Sequence, residues 1–208
     1  MALLPILRYP NPRLHLVAQP VEVVDERIRV LVADMLETMY AADGVGLAAP
    51  QIGLPLRLFV ALEMEPGADG EEYEDDEELA AAERRRRWDE RREHVIVNPV
   101  FRVRSGLQHG RDGCLSLPGL SVEDVPRDLS VELEYQDLDG NPHTVSATGY
   151  FAHVLQHEYD HLAGKFYFDN LTGKEKTQFL RRHEDALLEI QQQAAERRKT
   201  ADVPFRIR

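Results

Sequence analysis

The stretch Gln156-His157-Glu158-Tyr159-Asp160-His161 constrains this chain more than any other. It lies in a run from about Tyr150 to Ala163 that reads as one helix. The rest of that run is largely apolar, with Phe151, Val154, Leu155, Tyr159 and Leu162, so the helix belongs in a core. Burying two imidazoles and a carboxylate there costs free energy unless they are paired or coordinated. Four residues apart, His157 and His161 sit one turn above the other, and both rings can reach a single metal ion. Glu158 lies beside them, placed to handle a proton. A solvated charged face would explain the same residues on an exposed helix; on a buried one, a metal explains them better. A dication held there lowers the pKa of a bound water to roughly 7. Two histidines do not complete its coordination, so a third protein ligand has to come from elsewhere.

The rest of the chain narrows the setting. Its 208 residues suit one domain with an appendage. No apolar run reaches the 18 residues that would suggest a membrane span. The opening Met1-Ala2-Leu3-Leu4-Pro5 does not have the form of a signal peptide, and Cys114, the one cysteine, can make no internal disulfide. A cytoplasmic protein is the simplest expectation. The net charge of −12 argues against a general or sequence-specific nucleic-acid binder. Most of that charge is local: 14 acidic and 6 basic residues lie between Ala61 and Glu93, a balance of −8.

In chain order, the proline-rich segment from Met1 to Val24 reads as an extended arm with turns. Asp25 is a suitable N-cap for a helix to about Ala42, with Ile28, Leu31, Val32, Met35, Leu36 and Met39 as its apolar stripe. A loop of small residues follows, from Gly44 to Gly53, and then a buried strand from Leu56 to Leu62. Residues 63–93 break the pattern and read as a charged, solvated insertion without chemistry, with a helix from Leu79 to Arg92 as its one regular candidate. Strands are expected over His94–Arg104, Ser130–Tyr135 and His143–Ala147, the last two as a hairpin through Asp139-Gly140-Asn141-Pro142. Gly149 precedes the metal helix and Gly164 stands at its C′ position. Phe166–Phe168 reads as a short strand, and Lys174 to about Lys199 as one long helix. Strands around a helix without βαβ alternation predict an α+β fold, with antiparallel sheets packed around the central metal-binding helix and a further C-terminal helix. The expected organisation is a catalytic unit over 1–172 and a C-terminal helix and tail over 173–208.

A lone cysteine is most often a small buried hydrophobe. Cys114 sits in Asp112-Gly113-Cys114-Leu115-Ser116-Leu117-Pro118, a backbone shaped by glycine before it and proline after it. With His157 and His161 it would make a Cys-His-His set whose fourth tetrahedral position stays open, which is the mark of a catalytic site.

Three stretches, Gly44-Val45-Gly46-Leu47-Ala48-Ala49-Pro50-Gln51, Gly113-Cys114-Leu115-Ser116 and His157-Glu158-Tyr159-Asp160-His161, together resemble the three motifs of the peptide deformylase family. Their order and spacing match it over about Leu7 to Leu171, minus the acidic insertion. Gly44-x-Gly46-x-x-Ala49 also mimics a dinucleotide fingerprint, but it follows a helix and has no βαβ context.

The resemblance implies removal of the formyl group from the N-terminal formylmethionine of newly made polypeptides, with release of formate. It implies Cys114, His157 and His161 as ligands and ferrous iron as the ion; ligand softness alone would favour zinc, and zinc, nickel or cobalt could replace iron in isolated protein. Glu158 would be the proton-transfer group, and the Gln51 amide and the Leu115 backbone N–H would hold the oxyanion. The substrate backbone would lie along Val45-Gly46 as an added strand, with Asp112 and Gly113 also in contact. Val45, Tyr150, His153 and Val154 would wall the methionine pocket. Arg127 and Asp160 would support the ligands from behind, Arg127 pairing with Asp112 or Asp160. Asp112 stands where the family usually has glutamate, one methylene longer, so its bond to a ligand or substrate amine is expected to differ or to pass through water.

Two other classes fit parts of this pattern. Metalloproteases that cut internal peptide bonds share the two-histidine helix, but no downstream His or Glu here sits in a convincing motif. A metal-stabilised structural domain or ribosome-associated factor would have a closed site and no role for Gln51. The basic C-terminal residues Arg197, Arg198, Lys199, Arg206 and Arg208 could contact ribosomal RNA, and a solvated tail explains them equally well.

Overall fold

The computed structural model describes residues 2–64 and 90–200. Five antiparallel strands form the main sheet: β1 (Gly46–Ala48), β2 (Leu58–Glu63), β3 (Arg92–Ser105), β6 (Ser130–Gln136) and β7 (Pro142–Thr148), in the order β1-β2-β3-β6-β7. β4 (Gln108–Gly113) and β5 (Ser121–Arg127) pair separately as a two-stranded sheet.

β2 shows how the layers arise. Its side chains alternate between two apolar neighbourhoods, as the period of a strand requires. Leu58, Val60 and Leu62 face helix α1 (Glu26–Ala41), with Met35, Met39 and Leu31. Phe59 and Ala61 face α2 (Gly149–Leu162), with Phe151, Ala152 and Leu155. Each large side chain buried this way stabilises the fold by about 1.5–3 kcal/mol. Asp25 caps α1 as expected, its carboxylate accepting from the Arg27 and Ile28 N–H groups. Gly164 closes α2 in the left-handed conformation, at φ 70°. Its missing side chain matters, because a Cβ there would lie 2.5 Å from the His15 carbonyl oxygen.

Four expectations need correction. The small-residue loop contains strand β1 and a 3-10 turn, Ala49–Ile52. The strand expected from Leu56 begins at Leu58, and Leu56 instead bridges to Gln19. Phe166–Phe168 is not a strand: a 3-10 helix runs from Tyr167 to Asn170, with the Asp169 carboxylate accepting from the Phe166 N–H. The C-terminal helix is two, α3 (Gly173–Arg182) and α4 (Glu184–Thr200), which meet at His183. The break brings Phe179 and Ile190 into one apolar cluster with Leu14, Tyr167 and Phe168.

Of the charged insertion expected at 63–93, residues 65–89 lie outside the described residues, as does all but the end of its expected helix; its edges are strand instead, with Glu63 in β2 and Arg92 and Glu93 in β3. Its two flanks are joined in register, Glu63 opposite Arg92. None of the described helices is long and apolar enough to cross a membrane.

Candidate metal centre and active-site cleft

α2 buries the predicted motif. His157, Glu158 and His161 are all buried, under aromatic rings supplied by the 3-10 segment. Tyr167 stacks on the His157 ring at 6.3 Å between centroids, and Phe166 meets His161 edge-on at 5.7 Å. The turn after β4 carries Cys114 to the same place, with Sγ 3.2 Å from His161 Nε2. One donor atom from each of Cys114, His157 and His161 falls within 4.8 Å of the others. Metal–sulfur and metal–nitrogen bonds of about 2.3 and 2.0 Å place ligand atoms at such separations. Thiolate and imidazole donors, so arranged, fit a first-row divalent ion.

Behind the three candidate donors stands a buried ionic network. His157 Nδ1 lies 2.6 Å from Asp112 Oδ1, which leaves Nε2 to face the site. Asp112 Oδ2 accepts from Arg127 Nη2 at 2.8 Å and Nε at 3.2 Å. Arg127 Nη1 donates to Asp160 Oδ2 at 2.8 Å, and Asn170 donates to the same oxygen at 2.8 Å. Arg127 therefore pairs with both candidate acids, and the aspartate reaches His157 directly, with no water needed between them. Burial works against ionising Asp112, yet His157, His153 and Arg127 around it hold its carboxyl well below the usual carboxylate range.

Glu158 has the opposite environment. Burial pushes it up to about 7, and its Oε2 is buried without a partner. A carboxyl titrating near neutrality is suited to passing a proton in both directions.

The Gln51 amide is oriented by its own backbone. Its Oε1 accepts from the Ala48 N–H at 2.8 Å, so Nε2 must face the other way, toward Cys114 Sγ at 3.5 Å and Ser116 Oγ at 3.3 Å.

These groups open onto a cleft of about 920 Å³. Val45, Gly46, Gly113, Leu115, Tyr150, His153 and Val154 all line it, along with Asp112 and Gln51. Only Arg127, Asp160 and His161 among the predicted site residues stand back from it. The N-terminal arm borders the cleft with Leu3, Leu4 and Pro5. Ser116 stands in the motif Gly113-Cys114-Leu115-Ser116 but carries no role visible in sequence, and Asn170 and Gly110 matter only through contacts made in the folded chain.

Fold and site together define a metal-dependent hydrolase with a two-histidine helix and a cysteine beside it, a group that could hold the ion. The family model for polypeptide deformylase matches residues 3–177. A peptide deformylase of Thermus thermophilus is 45% identical over 190 residues, which cover 91% of this chain and 93% of the relative. One from Pseudomonas aeruginosa is 39% identical over 173 residues, 83% of this chain and 89% of its own. Among solved structures, the Thermus thermophilus peptide deformylase superposes with TM-score 0.77 at 41% identity, covering 92% of this chain and 99% of that one. A peptide deformylase from Synechococcus elongatus, solved in complex with actinonin, gives 0.70 at 31% identity over 88% and 86%. The chain belongs to the polypeptide deformylase family. It is an enzyme that removes the formyl group from the N-terminal methionine of new polypeptides in a metal-dependent hydrolysis.

Proposed function

We propose that Cys114, His157 and His161 hold ferrous iron and that Glu158 is the residue that moves the proton. The observation that carries this reading is the convergence of the three donor atoms beside a buried, unpartnered Glu158 carboxyl oxygen. When bound, the ion supplies Lewis acidity and an activated water. Glu158 takes the proton of that water at its carboxylate and returns one to the departing amine, so that formate and a free N-terminus leave. The formyl oxygen, as it gains charge, receives hydrogen bonds from the Gln51 Nε2 and the Leu115 backbone N–H. Asp112, held by Arg127, keeps the His157 ring in one tautomer and orientation.

The substrate lies along β1, the edge of the main sheet. The Val45 carbonyl accepts from the Leu62 N–H, so alternation along the strand turns the Gly46 N–H and C=O toward the cleft. An extended peptide can pair there, reaching past Asp112 and Gly113, while its methionine enters between Val45, Tyr150, His153 and Val154. We assign catalysis to residues 1–172, with 173–208 as an appended helical segment, and place the reaction in the cytoplasm. Contact with the ribosome through the basic C-terminus is a further proposal supported by sequence, since the side chains of Arg197, Arg198, Lys199, Arg206 and Arg208 lie outside the described residues.

The ligand set is tested by stripping the metal and adding ferrous ion back without oxygen. Formate release should return in proportion to iron bound, up to one ion per chain, and Cys114→Ala should bind and recover neither. Recovery by Cys114→Ala would remove the cysteine from the set.

A further inference from the structure

Gly110 and Asp112, two residues apart on β4, both press against one side chain, His153 on α2. A Cβ at Gly110 would lie 3.1 Å from His153 Nδ1 and 3.3 Å from Cε1, so the ring lies close against the β4 backbone. On its other side, His153 Nε2 is 3.0 Å from Asp112 Oδ2. That nitrogen is buried and has no aligned hydrogen-bond partner, which leaves the Asp112 carboxylate as its nearest acidic neighbour.

The carboxylate is thus divided. Oδ1 serves the metal-ligand candidate His157, while Oδ2 serves Arg127 and His153 together. Three cationic or donor side chains converge on an aspartate that is itself buried. A longer acid in its place has to displace one of them, and the ring is the one that Gly110 makes room for. His153 also lines the cleft together with His157 and Glu158, where a pocket wall would require only an apolar surface.

We propose that His153 is a positioning residue, which together with Arg127 fixes the Asp112 carboxylate and through it the imidazole of His157. The proposal rests on the metal-ligand reading above. Gly110, Asp112 and His153 act as one unit, and substitutions within it are therefore non-additive.

The test uses the full-length enzyme loaded with cobalt and two readouts that need no turnover: the rate at which a chelator removes the ion, and its visible absorption. His153→Leu keeps the bulk and removes the ring nitrogens. It should lose metal about tenfold faster, with a shifted spectrum and a kcat on formyl-Met-Ala-Ser lowered by a similar factor. His153→Gln, which keeps an N–H donor for Asp112, should recover most of both. Asp112→Glu alone should also speed metal loss, and adding His153→Ala should relieve it by vacating the place of the ring. If His153→Leu does not fold, His153→Asn, too short to reach Asp112, should show the same loss. A folded His153→Leu protein with the wild-type rate of metal loss and spectrum overturns the proposal, whatever its KM. A double variant whose losses are the product of the single ones overturns it as well. Cobalt held as well by a Cys114→Ala variant as by the wild type would sink the metal-ligand reading and the proposal with it, whereas cobalt held through Cys114 but unaffected by His153→Leu would sink the positioning role alone.

Discussion

The carboxylate of Glu158 occupies the place where a side chain on residue 46 would begin. A Cβ at Gly46 would lie 2.2 Å from Glu158 Oε1 and 2.7 Å from its Cδ, closer than any real side chain comes. The edge strand and the metal helix therefore meet through an absent side chain. The small residue expected to let the substrate approach first lets the enzyme's own acid approach.

Gly46→Ala is accordingly expected to push the Glu158 carboxylate off its position. Displacement by about 1 Å costs a proton-transfer group on the order of 10²-fold in rate. Cys114, His157 and His161 are untouched, so metal content should stay near one ion per chain while kcat for formate release collapses. An alanine variant with wild-type kcat would show that Glu158 has room to spare.

The buried acid also makes the metal-free protein sensitive to pH. Burial raises Glu158 from an ordinary 4.5 to about 7 in the folded chain. A folded value above the unfolded one means that the neutral form favours folding. The benefit is full below about pH 4.5 and is lost as pH rises through 7. Between pH 5 and 8 the metal-free wild type should lose about 2–3 kcal/mol of stability relative to Glu158→Gln, which cannot ionise. Denaturant unfolding at three pH values checks this, and parallel curves for the two proteins would contradict it.

The ends of the insertion are already held together, with Glu63 paired opposite Arg92 across β2 and β3. Removing residues 65–89 leaves Met64, Glu90 and Arg91 as a three-residue connection, a length that hairpins use. The shortened protein should fold and keep turnover on short formyl peptides within about twofold, since the β2–β3 pairing on either side of the cut is retained. Loss of turnover with the fold intact would give the insertion a part in catalysis.

What the sequence made readable follows from how strongly each segment is patterned. The apolar stripes of α1 and α2 and the hairpin of β6 and β7 carry periods that propensity alone resolves. The two candidate donors on α2 stood out because their four-residue spacing suits one ion, and the structure brings Cys114 within reach of both. β4 carries no such signal: Gln108, His109, Gly110, Arg111, Asp112 and Gly113 hold no apolar alternation, and the strand exists through its pairing with β5. Phe166 to Phe168 looks like a strand but turns inward as a 3-10 helix, because its rings have histidines to cover and the Tyr167 hydroxyl donates to the Leu120 carbonyl. The bend at His183 depends on the shape of the body that α3 and α4 cover. The pairing of Asp112 with His153, through the space at Gly110, joins residues more than 40 positions apart, and no local rule points to it.

In the proposed reaction Glu158, beside a metal held by Cys114, His157 and His161, drives hydrolysis of the formyl group. Formate release from formyl-Met-Ala-Ser tests it most directly, using anaerobic, iron-loaded wild type and Glu158→Ala with matched metal content. The expected result is steady release by the wild type and a loss on the order of 10²–10⁴-fold in the variant. Equal release by both proteins, or none from folded, iron-loaded wild type, would contradict it.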